Sequence, residues 1–97
     1  MITRIVKLHI DENKVADFIA IYESSKSFIQ NSSGNISVKL VKDIHQENIL
    51  FTISEWNCEE DLNNYRNTEF FAKVWSQVKT LLISKTDAWS LEEIINH

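Results

Sequence analysis

The chain has 97 residues, of which 43% are hydrophobic and 25% are charged, and its formal net charge is −4. A chain of this length makes one small domain over residues 1–97, and self-association would add to the stability of so small a core. The ten Lys and Arg residues form no basic stripe, which argues against a nucleic-acid partner. No apolar run approaches the roughly 18 residues that a membrane helix needs, which argues against a membrane partner.

The start of the chain and its metal-binding residue types bear on location and cofactors. The first ten residues, MITRIVKLHI, lack the apolar core and cleavage site of a secretory signal, so we expect a cytoplasmic protein. Cys58 is the only cysteine, which excludes an intrachain disulfide and a site of several thiolates. No pair of histidines has the helical spacing of metal ligands, and His9 and His45 fall on a predicted strand and in a predicted turn, so no metal site is expected.

The first part of the chain predicts a strand, a helix and a loop. Residues 2–10 alternate with the period of a half-buried strand, with Ile2, Arg4, Val6, Leu8 and Ile10 on one side and Thr3, Ile5, Lys7 and His9 on the other. Asp11 is placed to cap a helix over about residues 12–30, whose apolar positions recur at helical spacing: Val15, Phe18, Ile19, Tyr22 and Ile29. Gly34 in NSSGN predicts a loop with a positive-φ residue.

The second part predicts a hairpin, two helices and a last strand. Around DIHQEN, two alternating runs predict the hairpin: Ile36, Val38 and Leu40, then Ile49, Phe51 and Ile53. Asn57 and Glu60 have the spacing of a capping box before a short helix that carries Leu62 and Tyr65. Thr68 is placed to cap a longer helix with a broad apolar stripe: Phe70, Phe71, Val74, Trp75, Val78, Leu81 and Leu82. In AWSLEEII, alternate residues up to Ile95 fall on one side, which predicts a last strand. A helix over SLEEII is the alternative prediction.

The order β-α-β-β-α-α-β is the split βαβ pattern of ferredoxin-like α+β domains. It predicts a four-stranded antiparallel sheet with its helices on one face. The other face is too apolar for plain solvent and too polar for a dry core: Thr3, Ile5, Lys7, His9, Ser37, Lys39 and Val41. A second copy of the sheet packed against it would satisfy this mixture, so we expect a homodimer.

The stretch from the third predicted strand onward resembles the antibiotic biosynthesis monooxygenase family of dimeric α+β barrels. The resemblance rests on SEW at the end of that strand, on EEDLNNYRNTEFF after it, and on Gly34 before the second strand. It covers about residues 1–96. It implies a homodimer with a pocket between helices and sheet in each subunit, and oxidation of anthrols, quinols or similar aromatics by O₂ without a cofactor.

A separate branch of this family degrades haem, and the chain departs from that branch. The branch uses an Asn on the first strand, a Trp on the short helix and a His on the long helix as iron ligand. Val6, Tyr65 and Trp75 stand at these positions here. Trp75 cannot ligate iron and Val6 cannot hydrogen-bond a bound oxidant, so we expect neither haem degradation nor a cofactor.

Tyr65 is the predicted catalytic residue of such a pocket. On the short helix it would face the sheet, where its hydroxyl can hydrogen-bond a quinol or phenolate oxygen. The predicted substrate-binding residues are Arg4, Val6, Phe51, Glu55, Phe70, Phe71 and Trp75. The alternative is that Tyr65 is a core tyrosine whose hydroxyl reaches the edge of the core.

Three of the polar or amphipathic residues have two interpretations each. Arg4 either attracts an anionic substrate at the pocket rim or pairs with a surface carboxylate. Glu55 is either a base whose pKa is tuned by burial or the partner of Arg4. Trp56 points away from Phe51 and Ile53 by strict alternation, which predicts an interface or core position unless a bulge returns it to the pocket.

The sequence therefore predicts a cofactor-free monooxygenase acting on a small aromatic or quinol-like molecule. The alternative is a non-catalytic, small-molecule-binding or stress-associated dimer on the same scaffold, because fold does not establish function. A third possibility is an interaction module whose pocket is filled. An open cavity beside Tyr65 would argue against the third.

Overall fold

The computed structural model describes residues 1–94 of the chain. The strands are β1 (Ile2–His9), β2 (Asn35–Lys42), β3 (Ile49–Trp56) and β4 (Asp87–Glu92), and the helices are α1 (Val15–Gln30), α2 (Glu59–Arg66) and α3 (Glu69–Lys79). This order confirms the prediction, and SLEEII contributes to a strand up to Glu92. Ile95 lies outside the described residues. No helix among residues 1–94 has the length and apolarity to cross a membrane.

The four strands form one antiparallel sheet in the order β2-β3-β1-β4. The central strand β1 pairs with β3 over its whole length and with β4 from Ile2 to Lys7. The pairing of β2 with β3 shifts at a bulge between Asn35 and Ser37. This arrangement is the predicted ferredoxin-like α+β fold.

The helices cover one face of the sheet and bury two apolar clusters. The larger cluster joins β1 and β3 to α1 and α3 and contains Leu8, Ile10, Phe18, Tyr22, Leu50, Val78 and Leu81. The smaller cluster contains Ile2, Trp56 and Leu62, with Ile29 and Tyr65 packed against it. Because Leu62 is the buried residue of α2, this second cluster is what holds the short helix on the sheet.

The side of β3 that faces the helices is the opposite of the side predicted. Cross-strand partners share a face, and Phe51 pairs with Lys7 and Ile53 with Ile5, on the face that lacks helices. The helix-facing side chains are Leu50, Thr52, Ser54 and Trp56. The prediction failed because both sides of β3 carry large apolar residues, so that alternation alone does not identify the buried side.

Side-chain caps begin two of the helical segments. Thr68 caps α3 as predicted, since its Oγ1 accepts a hydrogen bond from the backbone N–H of Phe71 at 3.1 Å. Asp11 accepts a hydrogen bond from the backbone N–H of Asn13 at 2.9 Å. It therefore caps the 3₁₀ turn Glu12–Lys14 that leads into α1.

The start of α2 packs against Gly34 rather than using the predicted capping box. The N-cap of α2 is Cys58, without a side-chain cap bond, so the prediction of Asn57 as N-cap is wrong. The Asn57 backbone N–H donates instead to the Gly34 carbonyl oxygen at 2.8 Å. Gly34 has the predicted positive φ, +82°, and a Cβ at this position would overlap the Asp61 carboxylate. The missing side chain thus lets α2 approach the loop before β2.

Candidate functional site

A cavity of about 320 Å³ lies between the sheet and the helices. The sheet contributes Arg4, Val6, Leu8, Val38, Thr52, Ser54, Trp56 and Ala88, and the helices contribute Phe18, Ile21, Tyr22, Ser25, Ile29, Leu62, Tyr65, Arg66, Phe71, Val74, Trp75 and Val78. Most of these side chains are apolar. The volume lies at the lower end of the range for small-molecule sites, roughly 300–1,000 Å³.

Tyr65 lines the cavity with its ring held between other aromatic rings. Its ring stacks on Trp56 with centroids 5.3 Å apart, and Phe71 meets it edge-on, also at 5.3 Å. Within residues 1–94 the Tyr65 hydroxyl makes no hydrogen bond, whereas its backbone carbonyl accepts from the Thr68 hydroxyl at 2.8 Å. Burial raises the pKa of Tyr65 to about 12. The phenol is therefore neutral at physiological pH and acts as a hydrogen-bond donor.

Trp56 lines the cavity and is fully buried, with 0% of its surface exposed. Its Nε1 donates a hydrogen bond to Ser54 Oγ at 2.9 Å, so both side chains lie on the helix-facing side of β3. No bulge in β3 is needed to bring Trp56 to this side. Strict alternation does point Trp56 away from Phe51, as predicted, but Phe51 is the residue that faces away from the helices.

Two arginines bring positive charge to the cavity. Arg4 lies on β1, where its Nη1 donates a hydrogen bond at 3.0 Å to the hydroxyl of Ser90, its cross-strand partner on β4. Arg66 is the last residue of α2 and lines the same cavity. Burial lowers the pKa of Arg4, and the nearby charge of Arg66 lowers it further. Sequence reasoning missed Arg66, although its position four residues after Leu62 puts both on one side of α2.

Tyr22 is a second cavity-lining tyrosine that sequence reasoning assigned only to the helix stripe. The residue is 6% exposed, and its hydroxyl oxygen is buried without a hydrogen-bond partner among the described residues. Burial is the main cause that raises the pKa of this phenol, and the charge of Glu23 adds to it. Tyr22 therefore places a neutral, unsatisfied donor in the wall of the cavity.

The cavity lining contains few groups that exchange protons near neutral pH. No Asp, Glu, His, Lys or Cys is among its described lining residues. His9 lies near Ser84, with Nδ1 and Oγ 3.4 Å apart, and His45 is in the β2–β3 connection. Residues 1–94 contain no group of three or more His, Cys, Asp or Glu side chains placed to hold a metal ion.

The structure brings together some of the sequence-predicted site residues and separates others. The cavity is lined by Arg4, Val6, Tyr65, Phe71 and Trp75. Phe51 and Glu55 lie on the helix-free face of the sheet, so their expected placement in the pocket is wrong. Glu55 does not pair with Arg4, because its Oε1 accepts a hydrogen bond from Ser37 Oγ at 2.8 Å.

Phe70 is also separated from the cavity. Its ring stacks on Phe28 with centroids 3.9 Å apart and an interplanar angle of 14°. It is not among the cavity-lining residues, so its expected placement in the pocket is corrected as well. The neighbouring Phe71 supplies the aromatic wall, since one step along a helix turns the side chain by about 100°.

Residues 1–75 match the family model described as antibiotic biosynthesis monooxygenase. The chain belongs to the antibiotic biosynthesis monooxygenase family. A search of curated proteins finds no significant match. Family membership therefore rests on the family model and agrees with the resemblance seen around SEW and EEDLNNYRNTEFF.

Solved structures share the fold of this antibiotic biosynthesis monooxygenase family member at low sequence identity. An antibiotic biosynthesis monooxygenase superposes with a TM-score of 0.91 at 14% identity, covering 98% of this chain and 100% of that chain. A conserved protein from Methanosarcina mazei Go1 gives 0.91 at 19% identity, covering 97% and 94%. SnoaB, a cofactor-independent oxygenase from Streptomyces nogalater, gives 0.86 at 12% identity, covering 98% and 94%. These similarities establish the fold.

Proposed function

We propose that this chain is a cofactor-independent monooxygenase that oxidises a small aromatic, quinol-like substrate with O₂. The observation that carries the proposal is Tyr65, whose neutral phenol, with a pKa of about 12, lines an aromatic-walled cavity. Membership of the family supports the reaction type. SnoaB, which has the same fold, is a cofactor-independent oxygenase.

In this reaction the substrate itself supplies the electrons. An anthrol, the enol tautomer of an anthrone, loses its hydroxyl proton to solvent and becomes an oxyanion with electron density on the opposite ring carbon. O₂ adds to that carbon, and the resulting peroxide anion takes a proton from solvent and becomes a hydroperoxide. Loss of water then breaks the O–O bond and leaves a carbonyl group. The sum is R₂CH₂ + O₂ → R₂C=O + H₂O, in which the carbon gives four electrons to O₂.

Tyr65 has the role of hydrogen-bond donor to the substrate oxyanion. Because its pKa is about 12, Tyr65 remains protonated at neutral pH, so almost no phenolate is present to remove the substrate proton. A fixed donor stabilises charge that develops on oxygen, however, and is most effective where water is excluded. Phe71 and Trp75 have nearly parallel rings, 4° apart, and provide a flat wall for the substrate ring.

The active form in this proposal is a homodimer joined through the helix-free face of the sheet, called the open face below. A row of Ile53, Ile5 and Trp89 runs across β3, β1 and β4 on this face, with Phe51 and Leu91 in the adjacent rows. Trp89 and Leu91 are 44% and 47% exposed. Contiguous exposed apolar residues of this kind mark protein interfaces.

A non-catalytic, small-molecule-binding dimer is the second candidate, and the composition of the cavity favours it. Among the described lining residues, no carboxylate or imidazole is placed to accept a substrate proton. A ligand held by aromatic stacking and a tyrosine hydroxyl needs no such group. The same residues would then bind a molecule that the protein carries or senses.

Oxygen uptake with 1,8-dihydroxyanthrone separates the two candidates. The wild type is expected to consume O₂ and form the anthraquinone in equal amounts, and Tyr65→Phe is expected to slow this by about a hundredfold, the effect of losing one oxyanion donor. Lys79→Gln, an exposed change on α3 away from the cavity, is the control and should match the wild type. Binding without protein-dependent uptake, across a panel of anthrols and hydroquinones, would favour the second candidate.

A further inference from the structure

The part of the cavity lining that the structure describes carries two positive charges and no negative one. Among its described lining residues, Arg4 and Arg66 are the only charged side chains. Neither forms an ion pair within residues 1–94, where the salt bridge joins Lys42 to Glu47. The whole chain has a net charge of −4, so this recess has the opposite sign to the molecule as a whole.

Among residues 1–94, no acidic side chain pairs with Arg4 to compensate its charge. Arg4 is partly buried, and the hydrogen-bond partner of its Nη1 is the neutral hydroxyl of Ser90. Burial and the charge of Arg66 both lower the pKa of Arg4, so its cationic form is less stable here than in water. An anion bound between the two guanidinium groups would stabilise the cationic form of Arg4 again, because it supplies an opposite charge and strong hydrogen-bond acceptors.

The remaining lining determines which anion fits. Trp56 and Tyr65 stack at 5.3 Å, and Phe71 and Trp75 lie nearly parallel, so the walls suit a flat ring. A guanidinium group offers paired N–H donors that match the two oxygens of a carboxylate. The Tyr65 hydroxyl remains available for a phenolic oxygen elsewhere on the same ring.

We infer that the cavity selects an aromatic carboxylate, whose anionic group binds between Arg4 and Arg66. The inference rests on the proposed function, because it takes this cavity as the substrate site. It narrows the substrate from a quinol-like aromatic to one that also carries a carboxyl group. Arg66, which sequence reasoning missed, becomes a specificity-determining residue.

The test is isothermal titration calorimetry with 2-naphthoate and 2-naphthamide, which have the same rings and differ in charge. At pH 7.5 the wild type is expected to bind 2-naphthoate at least about tenfold more tightly, because hydrogen bonds to a charged acceptor are stronger. In Arg66→Gln and Arg4→Gln this preference should fall below about threefold. Lys79→Gln removes the same charge from the surface and should keep the preference.

Arg4→Lys is the matched variant for the partly buried Arg4. It retains the positive charge, so a preference kept in Arg4→Lys and lost in Arg4→Gln is due to charge rather than to misfolding. Equal binding of the two probes by the wild type, no binding of 2-naphthoate at millimolar concentration, or a preference retained in both Gln variants would overturn the inference.

Oxygen uptake tests the proposed function separately from this inference. Selective binding of 2-naphthoate by a protein that oxidises no anthrol would leave the inference intact and remove the monooxygenase. Oxidation of a neutral anthrol by a protein that binds 2-naphthoate and 2-naphthamide equally would support the monooxygenase and overturn the inference.

Discussion

The indole of Trp56 and the phenol ring of Tyr65 stack with an interplanar angle of 29°, joining the end of β3 to α2. The Trp56 indole is itself fixed by full burial and by its hydrogen bond to Ser54. Phe71 also meets the Tyr65 ring, edge-on. Ring packing therefore orients Tyr65, and its hydroxyl has no hydrogen-bond partner among residues 1–94.

Stability at alkaline pH is predicted to depend on Tyr65. Its pKa is about 12 in the folded chain, against about 10 in the unfolded chain. Between these values the folded chain keeps a proton that the unfolded chain has lost, so stability falls as pH rises. Two pKa units correspond to about 2.7 kcal/mol, which partial solvent exposure reduces to about 1–2 kcal/mol.

Tyr65→Phe isolates this contribution. Urea unfolding at pH 9 and pH 11.5 should show that the wild type loses about 1 kcal/mol more than Tyr65→Phe over this interval. Every other ionisable side chain is the same in both proteins, so its contribution cancels in the comparison. Equal losses in the two proteins would contradict the burial of the Tyr65 phenol.

The elements around Tyr65 could be predicted from the sequence, but the facing of β3 could not. Helical and strand periods differ, so the element order followed from the spacing of apolar residues. The side of β3 that is buried is decided by its pairing with β1. Since Phe51 on one side and Trp56 on the other are both large and apolar, the sequence pattern does not identify the buried side, and its prediction that Phe51 lines the pocket is wrong.

Only one of the two arginines that line the cavity can be predicted from the sequence. Arg4 is predictable because it shares one side of β1 with Val6 and Leu8, and a charged residue on an otherwise apolar side is conspicuous. Arg66 was missed because an arginine at the end of a short polar helix is ordinarily solvated. Only the docking of α2 through Leu62 brings Arg66 to the cavity, and that docking is a tertiary contact.

Tyr22→Phe is predicted to stabilise the ligand-free protein. The Tyr22 hydroxyl is buried without a partner among residues 1–94, and an unsatisfied buried polar group costs about 1–3 kcal/mol. Removing it should raise the free energy of unfolding by about 1 kcal/mol in urea titrations. Tyr65→Phe at neutral pH is the matched control and should change stability less. A destabilised Tyr22→Phe would show that the hydroxyl has a hydrogen-bond partner.

Gly34 is predicted to tolerate neither alanine nor asparagine. Its φ of +82° disfavours residues with a Cβ, by roughly 1–2 kcal/mol for alanine. Asparagine ordinarily tolerates this conformation, but any Cβ at Gly34 overlaps the Asp61 carboxylate. Both variants should therefore lose at least about 2 kcal/mol in urea unfolding. If Gly34→Asn were nearly as stable as the wild type, the close approach of Asp61 would be contradicted.

Dimerisation through the open face is predicted to depend on Ile53. Ile53 lies on an inner strand of the sheet and belongs to the apolar row, with Ile5 on β1 and Lys39 on β2 as its cross-strand neighbours. In a sheet-to-sheet dimer its side chain would be buried, and a lysine there would place an unpaired charge in the interface. Ile44 is 88% exposed in the β2–β3 connection, away from the paired strands, and offers the same substitution outside the interface.

Light scattering coupled to size exclusion measures the outcome. The wild type and Ile44→Lys should have twice the chain mass of 11.3 kDa at micromolar concentration, whereas Ile53→Lys should have the mass of one chain. Circular dichroism would establish that Ile53→Lys keeps its helices, because Ile53 is on the face that they do not cover. A wild type of single-chain mass, or an Ile53→Lys variant that remains a dimer, would mean that the apolar residues of the open face do not join two copies.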